Sequence, residues 1–147
     1  MRFTAGADHY GFLLKNVLVA RLRELGHEVE DLGTNGPDRV LVEEYALGVG
    51  RAVGCRRSDA GLLVCGTGQG MAIFANKVKG VRAALCNDLL TVRLARENND
   101  ANVLCLGSEI IGTGEAMAVL DEWLGTAYGG TEDDTLDRLR AIDQGIG

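Results

Sequence analysis

The chain has 147 residues, of which 46% are hydrophobic and one is proline, and this is long enough for one domain with a buried core. We expect residues 1–147 to form that single domain. The formal net charge is −6, from 15 Lys and Arg against 21 Asp and Glu. A mildly acidic surface repels nucleic-acid phosphates and anionic lipids, so we expect no nucleic-acid and no membrane partner.

The start of the chain and the cysteines narrow the class further. The sequence opens without a charged-then-apolar leader, and no apolar run approaches the length of a membrane span, so we expect a cytoplasmic protein. The four cysteines are far apart and form no CxxC pair. Cys86 and Cys105 lie in apolar segments, where a thiol behaves as a small hydrophobic group. Neither a zinc site nor a disulfide is predicted.

Short apolar runs alternate with segments of helical periodicity along the chain. The predicted strands are residues 2–6, 28–32, 60–65, 81–86 and 102–107. The predicted helices are residues 12–25, 42–53, 69–78, 88–97 and 114–125. In the first helix the expected apolar stripe consists of Leu14, Val17, Leu18, Leu22 and Leu25. This alternation indicates an α/β fold with a parallel sheet covered by helices on both faces.

The C-terminal segment, residues 129–147, has a different pattern. After two glycines, residues 131–134 are polar and acidic, and Leu136, Leu139 and Ile142 then recur at helical spacing. The pattern predicts a final amphipathic helix that packs on this subunit or at an interface with another.

Ligands of parallel α/β sheets bind beyond the carboxyl ends of the strands, so the residues just after each strand are the candidates for chemistry. In this chain they are residues 7–10, 33–35, 66–70, 87–88 and 108–109.

The strongest local signal is the sequence CGTGQG at residues 65–70, where a strand ends, a glycine-rich turn follows and a helix begins. Glycines let the backbone approach a ligand closely, and free amides at a helix N-terminus face negative charge. This suits a phosphate, or the enediolate oxyanion that forms when a proton leaves a carbon next to a carbonyl. The structural alternative is a tight turn without a ligand, because the spacing matches neither a Walker loop nor a full dinucleotide fingerprint.

Cys65 stands at the start of this turn. The same amides would stabilise its thiolate, so the thiol can act as a base near neutral pH. The alternative is a buried core cysteine. The adjacent glycine turn favours the base.

Asp8 and His9 follow the first strand, where they should share an edge of the sheet with Cys65. A histidine can hold a hydroxyl or a phosphate, and a carboxylate can bind sugar hydroxyls. Alternatively, Asp8 caps the helix that starts near Gly11. The second histidine, His27, is predicted to be a solvated loop residue.

Residues 98–102 lie between a predicted helix and the last strand, and three of them are asparagines. They can cap that helix or bind hydroxyl groups, and capping is the favoured interpretation from these residues alone.

Taken together, these motifs resemble the type B ribose-5-phosphate isomerase and galactose-6-phosphate isomerase family. The matching segments are GADHYGF at 6–12, DLGT at 31–34, CGTGQGM at 65–71, ANKVKGVRAA at 75–84 and RENNDANVL at 96–104. The resemblance implies a three-layer α/β/α, flavodoxin-like fold with a five-stranded parallel sheet and a C-terminal helix. It also implies no metal and no organic cofactor, and a homodimer or homotetramer with active sites between subunits.

In that family a cysteine moves a proton between C1 and C2 of a sugar through an enediolate. The resemblance assigns this proton transfer to Cys65, with Thr67 beside the developing oxyanion. The implied substrate-binding residues are Asp8, His9, Gly66, Gly68, Gln69, Gly70, Asn98 and Asn99.

The chain departs from the family pattern in three places. The histidine that opens the sugar ring is replaced by Asn98, which cannot transfer a proton. The two arginines that clamp the substrate phosphate are replaced by Thr131 and Thr135, with acidic residues 132–134 around them; Arg138 and Arg140 follow further along the helix. An Asp-Tyr-Pro segment is replaced by Leu-Val-Glu at 41–43.

Three hypotheses follow. The favoured one is an aldose–ketose isomerase of a small open-chain sugar or sugar phosphate such as a tetrose derivative; a tetrose 4-phosphate cannot close a furanose ring because its O4 is esterified. The second is the cysteine-bearing subunit of a heteromeric sugar-phosphate isomerase, whose partner supplies the histidine and the arginines. The third is a non-catalytic sugar-binding protein that kept the fold.

Overall fold

A computed structural model of the chain describes residues 1–145. Its centre is one sheet in which every paired strand is parallel, in the order β2-β1-β3-β5-β4. The strands are β1 (Arg2–Ala7), β2 (Glu28–Asp31), β3 (Ala60–Cys65), β4 (Ala83–Leu85) and β5 (Val103–Gly107). The predicted α/β fold with a five-stranded parallel sheet is confirmed.

Six helices accompany the sheet. They are α1 (Phe12–Glu24), α2 (Val42–Gly54), α3 (Gln69–Ala75), α4 (Leu89–Glu97), α5 (Thr113–Gly125) and α6 (Asp133–Asp143). Two hydrophobic clusters separate the layers: one packs α1, α4 and α5 against the sheet, and the other packs α2 and α3 against the opposite face. The fully apolar β3, buried along its whole length, is the centre of both.

The register of the sheet brings particular residues to its two ends. Val64 of β3 lies beside Ala7 of β1, and Cys65 lies beside Gly107 of β5. We call the end that carries residues 7–11, 33–35, 65–70 and 107–109 the carboxyl edge. The opposite end, with residues 58–60, 80–82 and 98–102, is the amino edge.

The predicted stripe of α1 is partly wrong. Leu14, Leu18 and Leu22 are buried, but Val17 and Leu25 are 39% and 45% exposed. Lys15 is buried instead, because its ammonium group forms an ion pair that replaces its hydration. A pattern of apolar residues cannot predict the burial of a charged one.

Two boundaries also differ from the prediction. The third helix ends at Ala75 rather than at residue 78, and the Asn76 side chain then bonds both backbone groups of Ala83, accepting from its N–H at 2.8 Å and donating to its carbonyl at 2.9 Å. Strand β4 begins at Ala83 rather than at 81, since the Arg82 N–H is taken by the Asn102 side chain at 2.7 Å. His27 lies in a loop as predicted, although it is half-buried, with its ring edge against Phe3.

The predicted C-terminal helix is present as α6, with Leu136 buried and Leu139 and Ile142 exposed by 39% and 59%. Residues 146 and 147 of the predicted C-terminal segment lie outside the described residues. Across residues 1–145, no helix is long and apolar enough to cross a membrane.

Candidate active site

Cys65 is the last residue of β3 and is 5% exposed. Its Sγ accepts a hydrogen bond from the Gly68 N–H at 3.1 Å. Gly68 has φ +79°, and a side chain there would meet Leu85 Cδ1 at 2.5 Å and the Leu106 backbone at 2.9 Å. Only glycine fits this position, and its conformation aims an amide at the sulfur. Such a donor stabilises the thiolate relative to the thiol.

The remainder of the glycine turn faces outward. Thr67 and Gln69 are exposed, and the Gln69 N–H donates to Thr67 Oγ1 at 3.3 Å. The backbone of Thr67 lies against Gly107, where a side chain would approach it to 2.7 Å. The turn is therefore fixed against β5 while the Thr67 side chain stays exposed.

Asp8 and His9 lie at the same edge, next to β3. The Asp8 N–H donates to the carbonyl of Val64 at 3.2 Å, one residue before Cys65. Asp8 is 3% exposed, and its Oδ1 accepts the N–H groups of Tyr10 and Gly11, both at 3.0 Å. These two bonds form a turn before α1 that holds His9 in place. Asp8 is not the N-cap of the helix, because α1 begins at Phe12 with Gly11 as its N-cap and without a side-chain cap.

His9 itself is half-buried. Its Nδ1 accepts the Val40 N–H at 3.3 Å, which leaves Nε2 as its second polar atom. Its ring lies 4.5 Å from the ring of Tyr10.

The loop after β5 closes this edge. Ser108 Oγ lies 2.8 Å from the Tyr10 carbonyl and 3.2 Å from the Cys65 carbonyl, and the Glu109 N–H donates to the Gly66 carbonyl at 3.0 Å. The strand pattern flagged residues 108–109 by position, but it gave them no role.

A buried lysine beneath this edge was missed by the sequence analysis. The Lys15 ammonium donates to Asp31 Oδ1 at 2.6 Å and to Asn35 Oδ1 at 2.8 Å. The same loop pairs with β1, where the Thr34 N–H donates to the Ala7 carbonyl at 2.8 Å. Lys15 therefore ties the loop after β2 to the segment that carries Asp8. A lysine inside an apolar helix stripe was the signal for it.

The other thiols differ from Cys65 in their surroundings. Burial raises the pKa of Cys86 to about 11, and burial raises the pKa of Cys105 as well. Both side chains stay protonated near neutral pH. Cys55 is exposed. Within residues 1–145, no group of three or more His, Cys, Asp or Glu side chains is arranged to hold a metal ion.

Asn98 and Asn99 lie far from this site in the same chain. Asn98 is the C-cap of α4, at the amino edge, and both side chains are exposed. The six residues of β3 separate the two edges by about 20 Å at 3.3 Å per residue. One chain therefore does not bring these asparagines together with Cys65.

The amino edge contains a groove of about 1380 Å³, which we call the amino-edge groove. Its lining includes Arg82, Asn99, Trp123, Leu136, Leu139 and Arg140. The Gly129 N–H donates to the Glu97 carbonyl at 2.9 Å, so the segment that leads into α6 starts beside Asn98.

Comparison with known proteins agrees with this architecture. A model of the Ribose/Galactose Isomerase family matches residues 4–142. The chain belongs to this family. Ribose-5-phosphate isomerase B of Escherichia coli (strain K12) is 43% identical over 140 residues, covering 95% of this chain and 94% of that protein. D-erythrulose-4-phosphate isomerase 2 of Mycolicibacterium smegmatis is 37% identical over 131 residues, covering 87% and 86%.

Solved structures of relatives superpose closely. Ribose-5-phosphate isomerase B of Clostridium thermocellum has a TM-score of 0.96 at 36% identity, with all of both chains covered. The enzyme of Mycoplasma genitalium with bound ribulose-5-phosphate has a TM-score of 0.94 at 34% identity, with 97% of this chain and 96% of that chain covered.

Three of the positions at which we expect this chain to depart from the family pattern lie at the end of α4 and at the start of α6, and residues 41–43 lie at the start of α2. Thr131 and Thr135 are exposed, and acidic residues 132–134 lie between them. Arg140 is paired with Asp137 at 2.7 Å, and Arg138 is exposed about one turn beyond Thr135. The cationic groups of this helix thus lie beyond Thr135, and acidic side chains lie between the two threonines.

Proposed function

We propose that this chain is an aldose–ketose isomerase in which Cys65 transfers a proton between adjacent carbons of a small open-chain sugar or its phosphate. Membership of the Ribose/Galactose Isomerase family places the chain among the aldose–ketose isomerases. The observation that carries the cysteine mechanism is the 3.1 Å hydrogen bond from the Gly68 N–H to Cys65 Sγ. The amide lies where it would bond a thiolate, which is the form in which a cysteine removes a proton from carbon.

In the proposed reaction the Cys65 thiolate removes the proton from the carbon next to the carbonyl. The electron pair of that C–H bond forms the C1–C2 double bond of an enediolate, and the carbonyl oxygen takes the negative charge. Thr67 is exposed and Gly66 and Gly70 are half-buried, and the Thr67 hydroxyl with the amides of these two glycines would stabilise this oxyanion. The thiol then returns the proton to the other carbon, and a proton exchanges between the two oxygens.

Asp8 and His9 would orient the substrate. The Oδ1 atom of Asp8 is committed to two backbone N–H groups, so Oδ2 is the atom that remains for a sugar hydroxyl. Because His9 Nδ1 accepts the Val40 N–H, Nε2 carries the ring proton and can donate to a second hydroxyl. In this role they position the substrate and transfer no proton to carbon.

The second half of the site would come from another subunit. Asn98 and Asn99 lie at the amino edge of their own chain, about 20 Å from Cys65 along β3 at 3.3 Å per residue. The amino-edge groove and the exposed Leu139 and Ile142 beside it give a second copy a surface on which to dock. We therefore propose a homodimer, or a tetramer built from such dimers, in which each groove faces the Cys65 edge of a partner.

The substrate class follows from what the altered residues cannot do. Asn98 cannot move the proton that opens a sugar ring, so a substrate that is already open suits the site. A ketotetrose is open-chain both as the free sugar and as its phosphate, because closure through its C4 oxygen would form a four-membered ring. The similarity to a protein named D-erythrulose-4-phosphate isomerase 2 supports a four-carbon substrate.

A panel of tetroses, pentoses and their phosphates tests the proposal. We expect turnover of a four-carbon substrate to exceed that of ribose 5-phosphate, and Cys65→Ser to lower kcat by a factor of about 100 or more with little change in KM. The matched control is Cys55→Ser, which alters an exposed thiol at the end of α2 and should leave kcat within twofold. Sugar binding without turnover by the wild-type protein would instead favour a non-catalytic binding protein.

The separation of the two edges also supports a second candidate, a heteromeric isomerase in which this chain supplies Cys65. Its partner would supply a histidine and two arginines at the amino edge. The test mixes this chain with a family member whose own cysteine is replaced by alanine. Activity that requires both chains supports the heteromer, and full activity of this chain alone excludes it.

A further inference from the structure

We propose that Glu109 is a specificity-determining residue that selects a sugar with an uncharged, hydroxyl-bearing end over a sugar phosphate. The inference rests on the isomerase function proposed above and concerns the substrate class of the same site. It depends on where a single carboxylate lies relative to the Cys65 turn.

Glu109 is held against that turn by its own backbone. Its N–H donates to the Gly66 carbonyl at 3.0 Å. This bond holds the backbone of Glu109 beside Gly66, the residue that follows Cys65. A methyl group placed on Gly66 would lie 3.7 Å from the Glu109 Cδ, 3.8 Å from its Oε2 and 3.8 Å from Tyr10 Cβ. The carboxylate therefore lies over the backbone of Gly66, between the glycine turn and the segment that carries His9.

Within residues 1–145, no lysine or arginine forms an ion pair with the Glu109 carboxylate. Lys15, beneath the edge, is fully buried and already paired with Asp31 at 2.6 Å. Arg39 is exposed in the loop that precedes the contact of Val40 with His9. A four-carbon substrate with its reacting carbons at Cys65 would carry a C4 phosphate past the glycine turn toward the exposed Glu109 carboxylate, and the two negative charges would repel each other.

A hydroxyl group has the opposite relation to the same carboxylate. Glu109 can accept hydrogen bonds from one or two sugar hydroxyls, and bonds to an ionised acceptor are stronger than neutral ones. The acidic residues 132–134 at the start of α6 have the same preference, so a partner subunit that brought them to the site would also favour a neutral sugar end. An unphosphorylated ketotetrose meets this requirement and needs no ring opening.

The experiment compares kcat/KM for erythrulose and for erythrulose 4-phosphate. We expect the wild-type protein to prefer the free sugar by about tenfold or more. Glu109→Gln should reduce that preference by about tenfold and Glu109→Arg should reverse it. The matched control is Glu24→Gln, which removes one exposed charge at the far end of α1 and should keep the wild-type ratio.

Ionic strength gives a second readout. Because salt screens repulsion between like charges, the rate with the phosphate ester should rise with added NaCl in the wild-type protein and rise less in Glu109→Gln. A wild-type preference for the phosphate that Glu109→Gln leaves unchanged, and that Arg39→Gln abolishes, overturns the inference and assigns the phosphate to Arg39.

Binding of inorganic phosphate separates this inference from the proposed isomerase function. In calorimetry, Glu109→Arg should bind phosphate at least about tenfold more tightly than the wild-type protein, whatever the turnover. Equal binding contradicts the role of Glu109. Failure of the wild-type protein to turn over any sugar, with the phosphate result as expected, contradicts the isomerase alone.

Discussion

The two edges of the sheet differ in how completely one chain builds them. At the carboxyl edge, Asp8, Ser108 and Glu109 each bond the backbone at or next to Cys65, and Lys15 is buried under the loops. At the amino edge, a groove of about 1380 Å³ lies open, and α6 reaches it through the single buried side chain of Leu136. The glycine turn beside Cys65 is thus fixed by contacts within one chain, while the groove at the amino edge stays open.

The difference is also chemical. The carboxyl edge contains Cys65, Asp8 and His9, which the family resemblance assigns to proton transfer and substrate binding, and the amino edge contains Asn98. In the proposed function, proton transfer between adjacent carbons is common to all substrates, whereas ring opening and phosphate binding are not. We therefore expect substrate preference to depend most on the amino edge and on Glu109.

The largest expected effect is at the buried ion pair of the carboxyl edge. Lys15→Met should lower the free energy of unfolding by about 3–5 kcal/mol, because Asp31 keeps a charge without its partner. Urea unfolding measures it, with the exposed Lys77→Met as control. A loss below about 1 kcal/mol would mean that the carboxyl edge is no more constrained than the surface.

The second-largest effect on stability is expected at the glycine turn of the carboxyl edge. Gly68→Ala should cost about 2–4 kcal/mol of stability, since its φ of +79° disfavours a side chain and the new Cβ meets Leu85 and Leu106 at 3.0 Å or less. Gly114→Ala in the first turn of α5 has open space and should stay within about 1 kcal/mol of wild type. Thermal unfolding of the pair measures both, and equal values contradict the strained turn.

The amino edge should respond more weakly. Leu136→Ala removes the buried anchor of α6 and should cost about 1–2 kcal/mol, below the 2–5 kcal/mol typical of core leucines, because the neighbouring groove lets α6 adjust. Leu62→Ala in β3 is the matched core substitution. A cost for Leu136→Ala as large as that for Leu62→Ala would show that α6 is packed as firmly as the sheet.

The last prediction concerns chemical labelling of the thiols, which needs no substitution. With iodoacetamide at pH 8, Cys55 should be modified while Cys86 and Cys105 are not, since burial holds the pKa of Cys86 at about 11 and leaves about one thiolate per thousand. Mass spectrometry of peptides gives the site. Rapid labelling of Cys105 in the folded protein would contradict its burial.

The fold was predictable because strand and helix alternate with clear apolar patterns, and β3, all apolar, was placed at its observed bounds. The predicted helix and strand boundaries are wrong where a side-chain amide, rather than a neighbouring backbone group, bonds the main chain. Asn76 ends α3 and binds β4, and Asn102 takes the N–H that would have extended β4. Lys15 is buried by a partner 16 residues away, which periodicity within one helix cannot show.

The sequence could likewise predict some residues of the candidate site and not others. Cys65, Thr67, Asp8 and His9 follow strands that end at one edge, so strand order alone brings them together. Asn98 and Asn99 were grouped with them through the family resemblance, and their distance from Cys65 appears only when α4 is traced from one edge to the other. Glu109 had no motif, because its position depends on a bond to Gly66 across two strands.

Hydrogen exchange at carbon tests the central claim most directly. Erythrulose is incubated with the protein in D₂O, and ¹H NMR follows deuterium entering at the carbon next to the carbonyl. The wild-type protein and Cys55→Ser should exchange at similar rates, and Cys65→Ser should be slower by a factor of about 100 or more. Exchange by Cys65→Ser within twofold of wild type would show that a different group removes the proton.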